Sequence, residues 1–185
     1  MTTETKVRPF NGNYSADPVH SSFSFAIEHM GVSTYRGTLS DVRASLHAGD
    51  DGIALEGAAK AESISITEPP EFRAHVLGGE FFDIENHPEV TFRSNDVELT
   101  DDGRATVEGE LTIRGVTRPV TATGTYGAPR DVAEGHGQHG ALELEATFDR
   151  RDFGFEWQME LPGGGNAAGW EVTLTVHLEL VADEE

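Results

Sequence analysis

The sequence predicts an all-β protein of about eight short antiparallel strands with one short helical insertion. Three observations carry this. Apolar residues alternate with polar ones in segment after segment. Gly, Pro, Asn and Asp clusters punctuate the segments at short intervals. The alternation fails clearly once, in a Pro-Pro stretch that reads as helix. Regular short strands joined by tight turns close into a sandwich or an up-and-down barrel, and about eight of them can enclose one small ligand.

The first strand is the one that bears on function. Phe23, Phe25, Ile27 and His29 alternate with Ser22, Ser24, Ala26 and Glu28. Asp17-Pro18 opens the run and Gly31 closes it. The apolar face is bulky and ends in an imidazole. It can fill a core or line a greasy cavity. Residues 1–16 are polar, with Phe10 and Tyr14 scattered, and read as a leader lying along the barrel. Leu39 to His47 is a second strand and Ile53 to Ile66 a third. The third has small residues on its inner face: Gly57, Ala59 and Ala61.

Residues 67–79 break the pattern. Thr67 is an N-cap candidate, Pro69 and Pro70 suit a first turn, and Gly78 suits the stop. Phe72 and Val76 share a face at i, i+4. Strands then resume over Val90 to Leu99, Ala105 to Arg114 and Val120 to Tyr126. The second of these aligns Val107, Gly109, Leu111 and Ile113, and the third aligns Ala122 and Gly124. Residues 127–140 read as a loop, Ala141 to Phe148 as a strand, and Val172 to Leu180 as the cleanest amphipathic strand of all.

Composition bounds the function. The 185 residues carry a formal charge of −20, from 33 acidic and 13 basic side chains. Nucleic acid and anionic membranes need clustered Lys and Arg, so both are expected to be excluded as partners. No apolar run is long enough to span a bilayer, and the first residues lack a signal-like apolar core. The chain therefore reads as cytoplasmic, without stable membrane insertion. There is no cysteine, which excludes disulfides and thiolate metal sites. His136 and His139 have metal-like spacing in a glycine loop, but no third ligand is evident, so no metal is expected. Asp17, His20 and Ser21 lie close in sequence, yet no nucleophile elbow exists and no catalytic residue is assigned.

The motifs together resemble the YceI-like family. They are Asp17-x-x-His20-Ser21, Phe23 through Gly31, Gly37, Phe81-Phe82-Asp83 and His87-Pro88-x-Val90-Thr91-Phe92. Gly109-x-Leu111-Thr112-Ile113-x-Gly115-Val116-Thr117, Arg150-x-Asp152-Phe153-Gly154 and the last strand complete the set. The resemblance covers about residues 14–181 of one domain spanning 1–185. It implies an extended lipocalin-like antiparallel barrel with a long-chain amphiphile, isoprenoid or fatty, in a central tunnel. The helix departs from the family pattern, with Phe72-Arg73 before His75-Val76.

On this reading the tunnel takes Phe23, Phe25, Ile27 and His29 from the first strand. It takes Phe72 and Val76 from the helix, then Phe81, Phe82 and Phe92. Val107, Leu111 and Ile113 approach from the hairpin, with Phe148 and Phe153 beyond it. Val172, Leu174 and Val176 come from the final strand. Gly57, Ala59, Ala61, Ala122 and Gly124 are expected to mark its widest part. Carriage of a hydrophobic small molecule is the leading function. An isomerase or cyclase acting on a lipid-like metabolite, with His29 as its titratable group, is the enzymatic alternative. A ligand-free stress-response protein is the third. No cofactor beyond the amphiphile is implied, and a homodimer is left open.

Overall fold

The computed structural model describes residues 5–184. The chain forms β1 (Gly12–Ala16), β2 (Ser22–His29), β3 (Ser33–Leu39), β4 (Val42–Gly49) and β5 (Gly52–Lys60). The helix α1 (Pro70–Leu77) follows. Then come β6 (Glu89–Leu99), β7 (Arg104–Ile113), β8 (Val116–Asp131), β9 (Gln138–Asp149) and β10 (Ala168–Ala182). Every pairing is antiparallel, in the order β1-β4-β5-β6-β7-β8-β9-β10-β2-β3. β1 also pairs with β10, Tyr14 opposite Ala182, and this closes the barrel.

The ten segments form eight staves, because two staves are broken in the middle. β1 and β2 both run along β10, separated by residues 17–21. The break has a local cause. Pro18 has no N–H for the ladder. The Asp17 carboxylate instead accepts the N–H groups of Val19 (2.7 Å) and His20 (3.3 Å). Glu179 stitches the break to β10: its carbonyl accepts from Asp17 N–H at 2.8 Å, and its N–H donates to Ser21 Oγ at 3.2 Å. β3 and β4 break at Ser40-Asp41, where residues 61–66 fill the seam toward β5. There Ser65 N–H donates to the Thr38 carbonyl at 2.8 Å, and Ile64 bridges Leu39.

The two ends of the barrel differ. One end carries the turns at 50–51 and 100–103, the loop 132–137 and the first and last described residues. It is solid. Tyr14, Leu46, Leu99, Leu142 and Leu180 are all but fully buried there, and Phe10 packs edge-on against Tyr14 at 5.2 Å. A Cβ at Gly140 would lie 2.6 Å from the Phe10 ring, so that glycine makes room for the plug. Of the residues read as a leader, Gly12–Ala16 are a barrel strand and Phe10 a stopper, while residues 1–4 lie outside the described residues. The expectation failed because Gly12-Asn13-Tyr14-Ser15-Ala16 has only one large apolar residue to announce a strand.

The other end carries α1, the turns at 30–32 and 114–115, and residues 150–167. Pro70 sits in the first turn of α1, as its fixed φ favours, but the N-cap is Pro69 and Thr67 caps nothing. Arg73 holds the helix down by donating to the carbonyls of Glu62, Ile64 and Ile66 at 2.7–3.2 Å. Of the expected pair, Val76 is buried but Phe72 is 45% exposed. The helix is short and lies over a rim, so only one residue of the i, i+4 pair finds a wall. Residues 127–140, read as a loop, are mostly strand: β8 runs to Asp131 and β9 begins at Gln138.

Candidate ligand-binding site

Cross-strand partners share a face. Phe23, Phe25 and Ile27 of β2 stand opposite Val176, Leu174 and Val172 of β10. These in turn stand opposite Leu144, Ala146 and Phe148 of β9. All point into the barrel. Between them and β4 to β8 lies an apolar chamber of about 50 Å³. Phe23, Phe92, Val107, Leu111, Leu174 and Val176 line it, as do the small residues Ala44, Gly57, Ala122 and Ala146. Among the described residues its only polar neighbours are Glu56 and Thr91. The Glu56 carboxylate meets Arg93 at 3.3 Å in an exposed ion pair. No imidazole lines the chamber.

Exposure rises along the lumen. Leu142, Leu144 and Leu178, toward the plugged end, are buried. Phe25, Ile27, Phe148, Val172 and Leu174 also face inward but are only half-buried. In a filled barrel they would be sealed. The lumen is therefore packed at one end and loosely occupied toward α1.

An aromatic cluster covers that looser end. His75 meets Phe81 and Trp157 edge-on, each at 5.1 Å, and Phe81 lies 5.4 Å from Trp157. Phe82 packs edge-on against Phe155 at 5.4 Å. Phe153 is fully buried against Phe148 at 5.0 Å. Arg114 ties the cover to the barrel. It sits in the two-residue turn between β7 and β8 with φ 53°, beside Gly115 at φ 72°. Its guanidinium donates to the carbonyls of Gly154 (2.7 Å) and Gly79.

Some expected site residues lie elsewhere. His29 is exposed at the rim, because β2 runs past the lumen before it ends. Alternation gave its side of the strand but not its depth. Phe72 is likewise outside. Val76 and Ile113 are buried but do not touch the chamber. Of the small positions, Gly57 and Ala122 line the chamber, whereas Ala59 is fully buried in packed core. Ala61 belongs to a 3₁₀ turn beyond the strand. Gly124 is small because a Cβ there would overlap the carbonyl of Glu143 on the next strand. Phe155 and Trp157 were missed; they sit in an irregular segment with no periodicity to mark them.

His20 and His139, outside the lumen, have carboxylate partners. His139 Nδ1 lies 2.8 Å from the Glu179 carboxylate, and its Nε2 lies 3.1 Å from the His136 carbonyl. Asp17, His20 and Glu179 place one potential ligand atom each within 4.8 Å of one another. Asp17 is engaged with His20 Nδ1 at 3.0 Å and with the turn amides, and Glu179 with His139. The hydrogen bond to the Asp17 carboxylate, then that group's charge and the charge of Glu179, raise the His20 pKa above 6.5. The same bond, with the Val19 amide, lowers Asp17 below 3.8. A raised histidine stabilises the fold below its unfolded pKa and loses that contribution as pH rises through the folded value. A lowered carboxylate does the reverse on acidification. The contact is therefore whole between the two ordinary values and decays on either side. In a histidine NMR titration His20 is expected to have a midpoint above 6.5 that falls back in Asp17→Asn. An unchanged midpoint in the variant would contradict the assignment.

A closed eight-stave antiparallel barrel, plugged at one end and apolar within, defines a lipocalin-like barrel. The chain belongs to the YceI-like family: the YceI-like domain matches residues 14–180. A UPF0312 protein of Staphylococcus aureus is 26% identical, covering 93% of this chain and 99% of its own. One from Pseudomonas putida is 29% identical over 74% of this chain and 72% of its own. Among solved structures, Burkholderia cenocepacia BcnA aligns with a TM-score of 0.69 at 19% identity, over 89% of this chain and 98% of that one. A polyisoprenoid binding domain from Saccharophagus degradans aligns at 0.63 and 11% identity, over 94% and 100%. At these identities the structural likeness is one of fold. Among the described residues, no helix is long and apolar enough to cross a membrane.

Proposed function

We propose that the protein binds one long-chain amphiphile, isoprenoid or fatty, tail-first in the barrel lumen, and carries or stores it. The observation that carries this is the asymmetry of the lumen. It is lined almost wholly by apolar side chains, stoppered by Phe10 and Tyr14, and bounded toward α1 by inward side chains that remain half-buried. A tail can enter only from the α1 end, and the head group is left at the rim. Each methylene buried contributes about 0.8 kcal/mol, so a chain needs no charged anchor to bind usefully. The Saccharophagus degradans neighbour, described as polyisoprenoid binding, supports the chemical class.

The chamber of about 50 Å³ is smaller than the roughly 300–1,000 Å³ of small-molecule sites. Seating a chain therefore requires rings to move, and the aromatic cover and the wall phenylalanines are the parts that can. An enzymatic role would need a titratable group facing the chain, and neither His29 nor the Arg93-paired Glu56 meets that requirement. The direct experiment is organic extraction of the purified protein followed by mass spectrometry. An approximately stoichiometric long-chain amphiphile is expected. A protein that yields none, and takes up none when incubated with palmitate or geranylgeraniol, is not a carrier of this kind.

A further inference from the structure

Phe25 and Phe92 of the lumen wall each lie over a glycine. Phe25 is the cross-strand partner of Gly37, and its ring occupies the place of the missing side chain. A Cβ at Gly37 would overlap Cζ of Phe25 and lie 2.7 Å from Cε1. Phe92 lies over Gly109 in the same way, 2.5 Å from a would-be Cβ. The two glycines differ in one respect. At Gly109 the carbonyl of Arg93 also blocks a side chain, so backbone packing alone demands glycine there. At Gly37 the three nearest atoms all belong to the Phe25 ring. Gly37 is also absent from the positive-φ residues, so its strand conformation suits any residue. Neither the backbone nor the neighbouring strand requires glycine at 37. The ring does.

A ring seated in a glycine notch lies flat on the wall. Displaced, it has one place to go. Tyr35 stands beside it on β3, with ring centroids 6.0 Å apart, and Leu174 stands opposite it on β10. The sheet is behind it, which leaves the lumen axis. Phe25 is half-buried and lies in the loosely occupied half through which a tail must pass.

We propose that Gly37 sets the bore of the lumen's open half, by holding Phe25 flat, and so determines the girth of chain the barrel accepts. The inference rests on the lumen-binding reading above. A methyl-branched isoprenoid chain is wider than a straight acyl chain, so bore translates into a preference between them.

The test is competition of geranylgeraniol and of palmitate against a fluorescent naphthylamine probe, on wild type, Gly37→Ala and Phe25→Leu, with circular dichroism to check folding. Gly37→Ala is expected to weaken geranylgeraniol by about tenfold more than palmitate. Phe25→Leu is expected to move the ratio the other way. Adding Phe25→Leu to Gly37→Ala is expected to restore geranylgeraniol binding; this double variant has no clash and serves also if Gly37→Ala alone folds poorly. A merely structural role for Gly37 would weaken both ligands together. Equal losses for the two ligands, or a folded double variant that stays impaired, overturns the proposal while leaving the lumen reading intact. Failure of the wild type to bind either chain overturns both.

Discussion

Ala122→Phe is expected to give a folded barrel that no longer retains a long apolar chain, and Ala59→Phe a barrel that is badly destabilised. The two alanines look alike in sequence, each small and each inward on its strand. Their surroundings differ. Ala122 on β8 lines the chamber with Gly57, Leu144 and Val176 around it, and the inward residues Phe25, Phe148 and Leu174 toward α1 are only half-buried. A phenylalanine there can turn along the lumen toward α1. Overpacking a core costs typically about 1–3 kcal/mol, and this site should fall at or below the lower end. Ala59 on β5 has no exposed surface and is paired with Val42 and Val90, both nearly fully buried. A ring there must displace packed neighbours, so its cost belongs at the upper end or beyond. For the ligand the order reverses. A ring at 122 denies a tail the inner part of the lumen. Losing about five buried methylenes at about 0.8 kcal/mol each costs about 4 kcal/mol, near a thousandfold in affinity. Urea melts beside chain-binding titrations separate the two outcomes. If Ala122→Phe melts as low as Ala59→Phe, the chamber is packed core and the carrier reading loses its support.

The same pair shows where sequence reasoning reaches and where it stops. Alternation assigned strands and faces, because side-chain direction has a fixed period of two. It assigned Phe23, Leu174 and Val176 to the inner wall, where they stand. Depth along the stave has no such period, so His29 was placed in the tunnel although it lies beyond the rim. A small residue signals that something needs room, but not what. At Gly124 it is a neighbouring carbonyl, at Gly37 an aromatic ring, at Gly140 the plug, and at Ala122 the chamber. Phe10 and Tyr14 were legible only as scattered aromatics, since β4 and β10, which flank Tyr14, and Gly140, which makes room for Phe10, are distant in sequence. The cover of Phe81, Phe82, Phe155 and Trp157 lies on two irregular segments whose meeting no local pattern announces.

Arg150→Met is expected to destabilise the fold by about 3 kcal/mol or more and to loosen the cover of the lumen. Arg150 is only 3% exposed, and burial pulls its pKa down, although Asp149 opposes the shift. Among the described residues its side chain makes no hydrogen bond to a carboxylate. It donates instead to the carbonyls of Gly169 (2.8 Å), Phe155 (2.7 Å) and Ala168 (3.4 Å), and lies 4.3 Å from the centre of the Trp170 ring. Those carbonyls belong to the irregular segment that leads from β9 to β10 and to the start of β10 itself. One guanidinium thus replaces a missing stretch of ladder. The turn around it, Arg150–Phe153, ends on Gly154 in the left-handed region at φ 80°, and that glycine's carbonyl is the one Arg114 holds. Methionine fills the space without donating. The Ala168 carbonyl still accepts from Gln158, but those of Gly169 and Phe155 lose this donor, at about 1–3 kcal/mol for each buried orphan. Lysine should recover only part of the loss, since a point charge cannot span three carbonyls as a planar fork does. The control is Arg151→Met. Arg151 lies against the same indole at 4.7 Å and holds the Asp149 pKa down to about 2, but the pair is solvent-accessible. Its removal should cost far less than that of Arg150, and only above the acid range in which Asp149 protonates. Urea unfolding with an unchanged m-value measures the difference, and the release rate of a preloaded chain measures the cover. Equal midpoints for Arg150→Met and Arg151→Met would mean that the buried guanidinium holds nothing that its exposed neighbour does not.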